Sequence, residues 1–136
     1  MAVRFLLDTN ICNYIRRQRP PAVLARFRQL QLGEAVLSVL TYGELVYGAE
    51  KSQFREQAHR QLAELAALLP VMELPMRAGE FYGSIRAALA AEGGMIGNND
   101  LWIAAHARTA GLILVTNNDV SFGAFKDWKF RIGRSD

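Results

Sequence analysis

The sequence contains a single cysteine, Cys12, which excludes an internal disulfide and any cysteine-rich zinc site. No apolar run approaches the ~18 residues that a membrane-spanning helix needs. The N-terminal segment reaches an acidic residue, Asp8, before the apolar core of a signal peptide could form. The chain also lacks low-complexity runs and internal repeats. These absences predict a small cytoplasmic protein with no membrane segment.

The composition is that of an ordinary folded domain. The chain has 136 residues, of which 51% are hydrophobic and 21% are charged. Such a chain is too apolar to stay disordered. Because one domain typically takes ~100–200 residues, we expect residues 1–136 to form a single domain.

The formal net charge of +3 is unevenly distributed along the chain. Residues 1–28 carry six arginines and one acid, whereas residues 29–125 carry more acids than bases. A basic segment can attract the phosphate backbone of a nucleic acid. On charge alone, a solvated arginine-rich helix face is the simpler interpretation.

Short apolar segments alternate with helical patterns. The segments that predict strands are Val3–Leu7, Ala35–Val39, Val71–Leu74, Leu112–Thr116 and Lys129–Ile132. The segments that predict helices are Thr9–Arg17, Ala22–Leu30, Thr41–Lys51, Gln53–Leu69, Met76–Ala91 and Asp100–Ala110. This alternation predicts an α/β fold with a mainly parallel sheet of four or five strands and helices on both faces.

Four acids occupy similar places in this pattern, between a strand or loop and a helix or turn. They are Asp8, Glu44, Asp100 and Asp119. In open α/β sheets, functional sites form outside the carboxyl ends of the strands. Carboxylates that meet there repel one another unless a cation joins them, and oxygen ligands suit Mg²⁺ or Mn²⁺.

Each acid also has an ordinary structural interpretation. Asp8 can cap the helix that begins at Thr9. Thr41 and Glu44 have the spacing of a capping box. Asp100 suits the first turn of a helix, with the preceding asparagines as caps. Taken one at a time, these structural roles are the simpler interpretation.

Three segments favour the functional interpretation. They are LLDTNICNYI (Leu6–Ile15), SVLTYGELVYGAEKS (Ser38–Ser52) and IGNNDLWIAAHARTAGLILVTNN (Ile96–Asn118). Together they resemble the PIN-domain ribonucleases, and most closely the VapC-type toxins of bacterial toxin–antitoxin pairs. The resemblance extends from Phe5 to Phe122. It implies a PIN-like three-layer fold, a single PIN domain over residues 1–136, and a Mg²⁺- or Mn²⁺-dependent endoribonuclease.

The resemblance also implies the site. It assigns Asp8, Glu44 and Asp100 as catalytic and metal-binding residues. Asn118 stands where many family members have an aspartate, so the fourth position falls to Asn118 or to the neighbouring Asp119, and we expect Asn118 to face the ion. The side chains expected to orient the carboxylates or metal-bound water are Thr9, Asn10 and Thr116.

The implied partners are an RNA and a protein. VapC-type toxins pair with a VapB-type antitoxin that covers the toxin's site, and the expected RNA is a transfer RNA, with initiator tRNA as the first candidate. Arg16, Arg17 and Arg19 are expected to contact RNA or antitoxin. The resemblance further implies a homodimer, with a larger assembly once the antitoxin binds.

Four other functions compete with this interpretation. A receiver-like signalling module also holds Mg²⁺, but it needs adjacent acids after the first strand, where Asp8 is followed by Thr9. An aspartate-nucleophile phosphatase would need an acid in place of Asn10. A PIN domain that binds RNA without cleaving it remains open because the fourth acid is missing. A metal-free nuclease needs a histidine pair, and nothing in the sequence brings His59 and His106 together.

Overall fold

The computed structural model describes residues 3–18, 21–94, 97–116 and 130–132. Its strands are β1 (Phe5–Leu7), β2 (Ala35–Ser38), β3 (Val71–Met72), β4 (Ile113–Thr116) and β5 (Phe130–Ile132). Its helices are α1 (Thr9–Arg17), α2 (Pro21–Arg28), α3 (Val39–Glu50), α4 (Arg55–Leu68), α5 (Ala78–Ala91) and α6 (Asn98–Ala110). Within this part of the chain, no helix is long and apolar enough to cross a membrane.

The five strands form one sheet in the order β3-β2-β1-β4-β5, and every neighbouring pair is parallel. β1 lies at the centre, where Leu6 is in register with Val36 of β2 and Leu114 of β4. The parallel arrangement brings the carboxyl ends of these three strands to one edge. The predicted α/β fold with a mainly parallel sheet is confirmed.

Helices cover both faces of the sheet. Successive side chains of a strand point to opposite faces, so apolar side chains have to be buried on each face. Phe5, Leu7 and Leu37 belong to a core cluster with residues of α1, α3 and α4. Leu6 and Leu114 belong to a second cluster with residues of α5 and α6. The two clusters make the three-layer arrangement that the sequence predicted.

Five predicted helix starts are wrong by one or two residues, because the helices begin at Pro21, Val39, Arg55, Ala78 and Asn98. The caps explain two of these differences. Ser38, the last residue of β2, caps α3 by accepting a hydrogen bond from the backbone N–H of Leu40 at 3.2 Å. Thr41 therefore lies inside α3, fully buried, and does not form the predicted capping box with Glu44. Gly97 takes the cap position of α6 that the sequence assigned to an asparagine.

The start of α1 and the end of α6 follow the sequence. Asp8 caps α1, as predicted, and α6 ends at Gly111, whose φ of 69° is the left-handed conformation that glycine adopts readily. The segment Asn117–Asp127, predicted to be irregular or briefly helical, lies outside the described residues. That the whole chain is one domain stays a prediction.

Candidate active site

Asp8 lies at the carboxyl end of the central strand and is almost fully buried, with 4% of its surface exposed. Its Oδ1 accepts a hydrogen bond from the backbone N–H of Ile11 at 2.8 Å. Its Oδ2 accepts one from the hydroxyl of Thr116, at the end of β4. These two contacts fix both oxygens of the carboxylate.

The surroundings raise the pKa of Asp8 to about 6. Removal from water is the largest cause, because burial penalises the charged form. The hydrogen bonds from Thr116 and Ile11 oppose it, while the charges of Asp100 and Glu44 raise the pKa further. Asp8 therefore lies within electrostatic reach of both other candidate acids.

Glu44 lies on α3, six residues beyond the end of β2, and is partly buried. Its Oε1 accepts a hydrogen bond from the hydroxyl of Thr9 at 2.6 Å. Thr9 is the first residue of α1 and follows Asp8 directly, so this contact links the two helix starts. Asn10, the third residue expected to orient the site, is exposed on α1.

Asp100 lies in the first turn of α6 and is partly buried. A Cβ added at Gly97 would lie 3.8 Å from its Oδ2, so a side chain at that position would contact the carboxylate. Three elements thus bring the acids near one edge of the sheet. Asp8 comes with β1, Glu44 with α3 and Asp100 with α6.

The donors at this edge fit a hard divalent cation. All are oxygens of carboxylates and hydroxyls, the ligands that Mg²⁺ and Mn²⁺ prefer. Among the described residues, no three His, Cys, Asp or Glu side chains are close enough to hold one ion between them. That Asp8, Glu44 and Asp100 together bind one divalent ion therefore stays a prediction. The two candidates for the fourth position, Asn118 and Asp119, lie outside the described residues.

The other predicted residues lie further along α1. Arg16 and Arg17 are exposed in its last turn, and Arg16 donates a hydrogen bond to Asn13 Oδ1 at 3.1 Å. Arg19 lies outside the described residues. Cys12 is fully buried, and burial raises the pKa of its thiol, as expected of a packing residue.

A buried polar contact that the sequence did not predict joins a histidine to a serine. His106 Nδ1 and Ser38 Oγ are 2.9 Å apart, and both residues are fully buried. Burial lowers the pKa of His106, which favours its neutral form. His59 lies elsewhere, on α4, 2.6 Å from Glu50 Oε2. Each histidine thus has a separate partner, which gives no support to a histidine-pair nuclease.

Comparison with known proteins shows which family the chain belongs to. The PIN-domain family model matches residues 5–126. A ribonuclease VapC2 of Haemophilus influenzae is 40% identical over 116 residues, covering 85% of this chain and 87% of the relative. A tRNA(fMet)-specific endonuclease VapC of Shigella flexneri is 41% identical over 120 residues, covering 88% and 90% of the two chains. The chain belongs to the VapC ribonucleases of the PIN-domain family.

Solved VapC structures share the fold. The DNA-bound VapBC complex of Salmonella typhimurium superposes with a TM-score of 0.88 at 33% identity, covering 95% of this chain and 97% of that chain. VapBC-1 of nontypeable Haemophilus influenzae gives a TM-score of 0.86 at 34% identity, covering 96% and 98%. Membership of this family of RNA-cleaving nucleases excludes the receiver-domain and phosphatase interpretations.

Proposed function

We propose that this VapC family member is the toxin of a type II toxin–antitoxin pair, a metal-dependent endoribonuclease that inhibits translation. Its proposed substrate is initiator tRNA, the RNA for which the Shigella flexneri relative is named. The observation that carries the proposal is the buried Asp8 carboxylate. It is fixed by Thr116 and Ile11 and lies within electrostatic reach of Glu44 and Asp100.

Asp8, Glu44 and Asp100 are the residues that would hold Mg²⁺ or Mn²⁺, with Asn118 or Asp119 as the fourth. When bound, the ion lowers the pKa of a coordinated water and neutralises charge that develops on the phosphate. Thr116 and the Ile11 amide keep Asp8 oriented toward the edge of the sheet, and Thr9 does the same for Glu44. These donors restrict rotation of the carboxylates, so less ordering is needed when the substrate binds.

The repulsion among the three acids gives a reason for a cation at this edge of the sheet. RNA phosphates are negatively charged and would be repelled by ionised carboxylates. Burial and the neighbouring acids already raise the pKa of Asp8, which means that its charged form is unfavourable without a counter-ion. A divalent ion would stabilise the charged acids and attract the phosphate at the same place.

The proposed protein partner is a VapB-type antitoxin. The two solved structures compared above are VapBC structures, and their alignments cover nearly the whole chain. We also propose that the chain forms a homodimer, which assembles further with the antitoxin.

The function is tested by incubating the purified chain with an initiator tRNA transcript. Cleavage is expected with Mg²⁺, should stop in EDTA and should return when Mg²⁺ is added in excess. Asp8→Asn should reduce cleavage by at least ~100-fold, since losing even an outer partner of a metal ligand costs ~10–100-fold.

Two controls separate the parts of the proposal. Glu64→Gln removes an exposed carboxylate from α4 and should leave cleavage unchanged. An elongator methionine tRNA should be a poor substrate. Cleavage that persists in EDTA contradicts the metal mechanism, and equal cleavage of both tRNAs contradicts the proposed substrate.

A further inference from the structure

His106 and Ser38 form a buried polar pair that the proposed mechanism does not use. His106 Nδ1 and Ser38 Oγ are 2.9 Å apart, and neither side chain is exposed to solvent. The residues on either side of the histidine in α6, Ala105 and Ala107, are apolar and also fully buried. Hydrogen bonds depend on direction as well as distance, so this pair restricts the relative position of the two elements that carry it.

The pair connects the two faces of the sheet. Val36 of β2 belongs to the second core cluster, and Ser38 points to the same face because side chains alternate along a strand. The backbone of Ser38 nevertheless begins α3, whose Leu45 packs in the first cluster on the other face. The contact with His106 therefore ties the start of α3 to α6.

The two partners lie at matching distances from two of the candidate acids. Ser38 precedes Glu44 by six residues, and His106 follows Asp100 by six residues. Six residues of helix span about 9 Å. Apolar packing holds each helix against its own face of the sheet, whereas this pair is a polar link between the helices that carry Glu44 and Asp100.

Stability alone gives no reason for a histidine at this position. Ser38 Oγ already accepts the capping hydrogen bond from the backbone N–H of Leu40 at 3.2 Å. Among the residues that the structure describes, His106 Nε2 has no hydrogen-bond partner. A buried polar atom without a partner is destabilising, and an apolar side chain of similar volume would avoid that penalty.

We infer that His106 is a positioning residue for the proposed metal site, because its hydrogen bond to Ser38 sets the separation of Glu44 and Asp100. The inference rests on the proposed ribonuclease function, which assigns both acids to that site. His106 acts through Ser38 and contacts neither the ion nor the RNA. Without the bond, α3 and α6 can shift independently, and a displacement of ~1 Å at a reacting centre can cost ~100-fold in rate.

The first test compares two substitutions of similar shape. His106→Asn places an amide near the position of Nδ1 and can keep the bond to Ser38, whereas His106→Leu cannot. Thr109→Val is the control, since it removes a hydrogen bond of 2.8 Å to the Ala105 carbonyl within α6. In His106→Leu, the affinity for Mn²⁺ in calorimetry should fall by about 10-fold and kcat for initiator tRNA by ~10–100-fold, with little change in KM. His106→Asn and Thr109→Val should match the wild type in all three quantities.

The second test asks whether the two residues act as one unit. Ser38→Ala removes the same bond, so the double variant Ser38→Ala/His106→Leu should bind Mn²⁺ no more weakly than Ser38→Ala alone. Independent losses that add in the double variant would contradict the link. Thermal unfolding separates positioning from packing, because His106→Leu should melt within about 5 °C of the wild type despite its lower activity.

Crystal structures of the metal-free wild type, His106→Leu and His106→Asn separate this inference from the proposed function. The distance between the Glu44 and Asp100 carboxylates should change by ~1 Å or more in His106→Leu and stay unchanged in His106→Asn. That result supports the inference even if no tRNA is cleaved. Equal distances and equal Mn²⁺ affinities in the wild type and His106→Leu overturn it even if tRNA is cleaved. A loss that His106→Asn shares, or a His106→Leu chain that does not fold, would assign His106 to packing and also overturn it.

Discussion

Replacing Asp8 with asparagine should stabilise the metal-free protein while abolishing its activity. Asparagine keeps the size of the side chain, and its Oδ1 can still accept the hydrogen bond from Ile11. In the wild type the Thr116 hydroxyl donates a hydrogen bond to the carboxylate. In the variant the asparagine amide can donate to that hydroxyl instead. What the substitution removes is a buried negative charge with acidic neighbours.

The magnitude follows from the raised pKa. Asp8 titrates at about 6 in the folded protein and at 3.8 when unperturbed. Below pH 3.8 the carboxyl is protonated in both the folded and the unfolded state, so it does not change the free energy of unfolding. Between pH 3.8 and 6 only the folded state keeps its proton, so stability falls as pH rises. Each pKa unit of difference between the two states corresponds to ~1.4 kcal/mol. The free energy of unfolding therefore falls by about 3 kcal/mol, and this loss persists at pH 7.

Thermal unfolding of wild type and Asp8→Asn in EDTA tests this reasoning. At pH 7 the variant should melt about 10 °C higher, and at pH 4 the difference should nearly vanish. Added Mg²⁺ should raise the melting temperature of the wild type more than that of the variant. The control Glu64→Gln should change stability by less than ~0.5 kcal/mol at either pH. A variant that is less stable than wild type at pH 7, or a difference independent of pH, would refute the reasoning.

The remaining predictions concern the residues around the acids and the assembly. Thr116→Val removes a hydrogen bond that lowers the pKa of Asp8, so the pH profile of cleavage should move to higher pH and the rate should fall by ~10–100-fold. Thr9→Val frees Glu44 to rotate and should raise the Mg²⁺ concentration needed for half-maximal activity; an unchanged requirement would count against that role. In calorimetry, Asn118→Asp should tighten metal binding more than Asp119→Asn weakens it, and the reverse pattern would make Asp119 the fourth ligand. Light scattering of the purified chain should give the mass of a dimer at micromolar concentration, and a monomer alone would disprove this.

Much of the fold could be predicted because its local signals agree. β1 is a short apolar run that ends at Asp8, whose carboxylate is well suited to cap the helix that follows. The same logic is ambiguous at α3. Ser38 and Thr41 are both good caps three residues apart, and only the end of β2 decides that Ser38 takes the role.

The site could be predicted in its residues but not in its contacts. Thr116 and Asp8 are 108 positions apart, and they meet because Leu7 is in register with Val115 between β1 and β4. Thr9 and Glu44 meet because α1 and α3 begin after neighbouring strands. Strand order and register are properties of the whole chain, so a motif that spans ten residues does not contain them.

The most direct measurement of the central claim is a crystal structure of the chain soaked with Mn²⁺, with the ion located by its anomalous scattering. The account predicts a peak at the carboxyl end of β1, with oxygens of Asp8 or Asp100 at about 2.1–2.2 Å and Glu44 bound directly or through a water. A structure with Mn²⁺ bound elsewhere, or with no peak near these carboxylates at saturating metal, would contradict it.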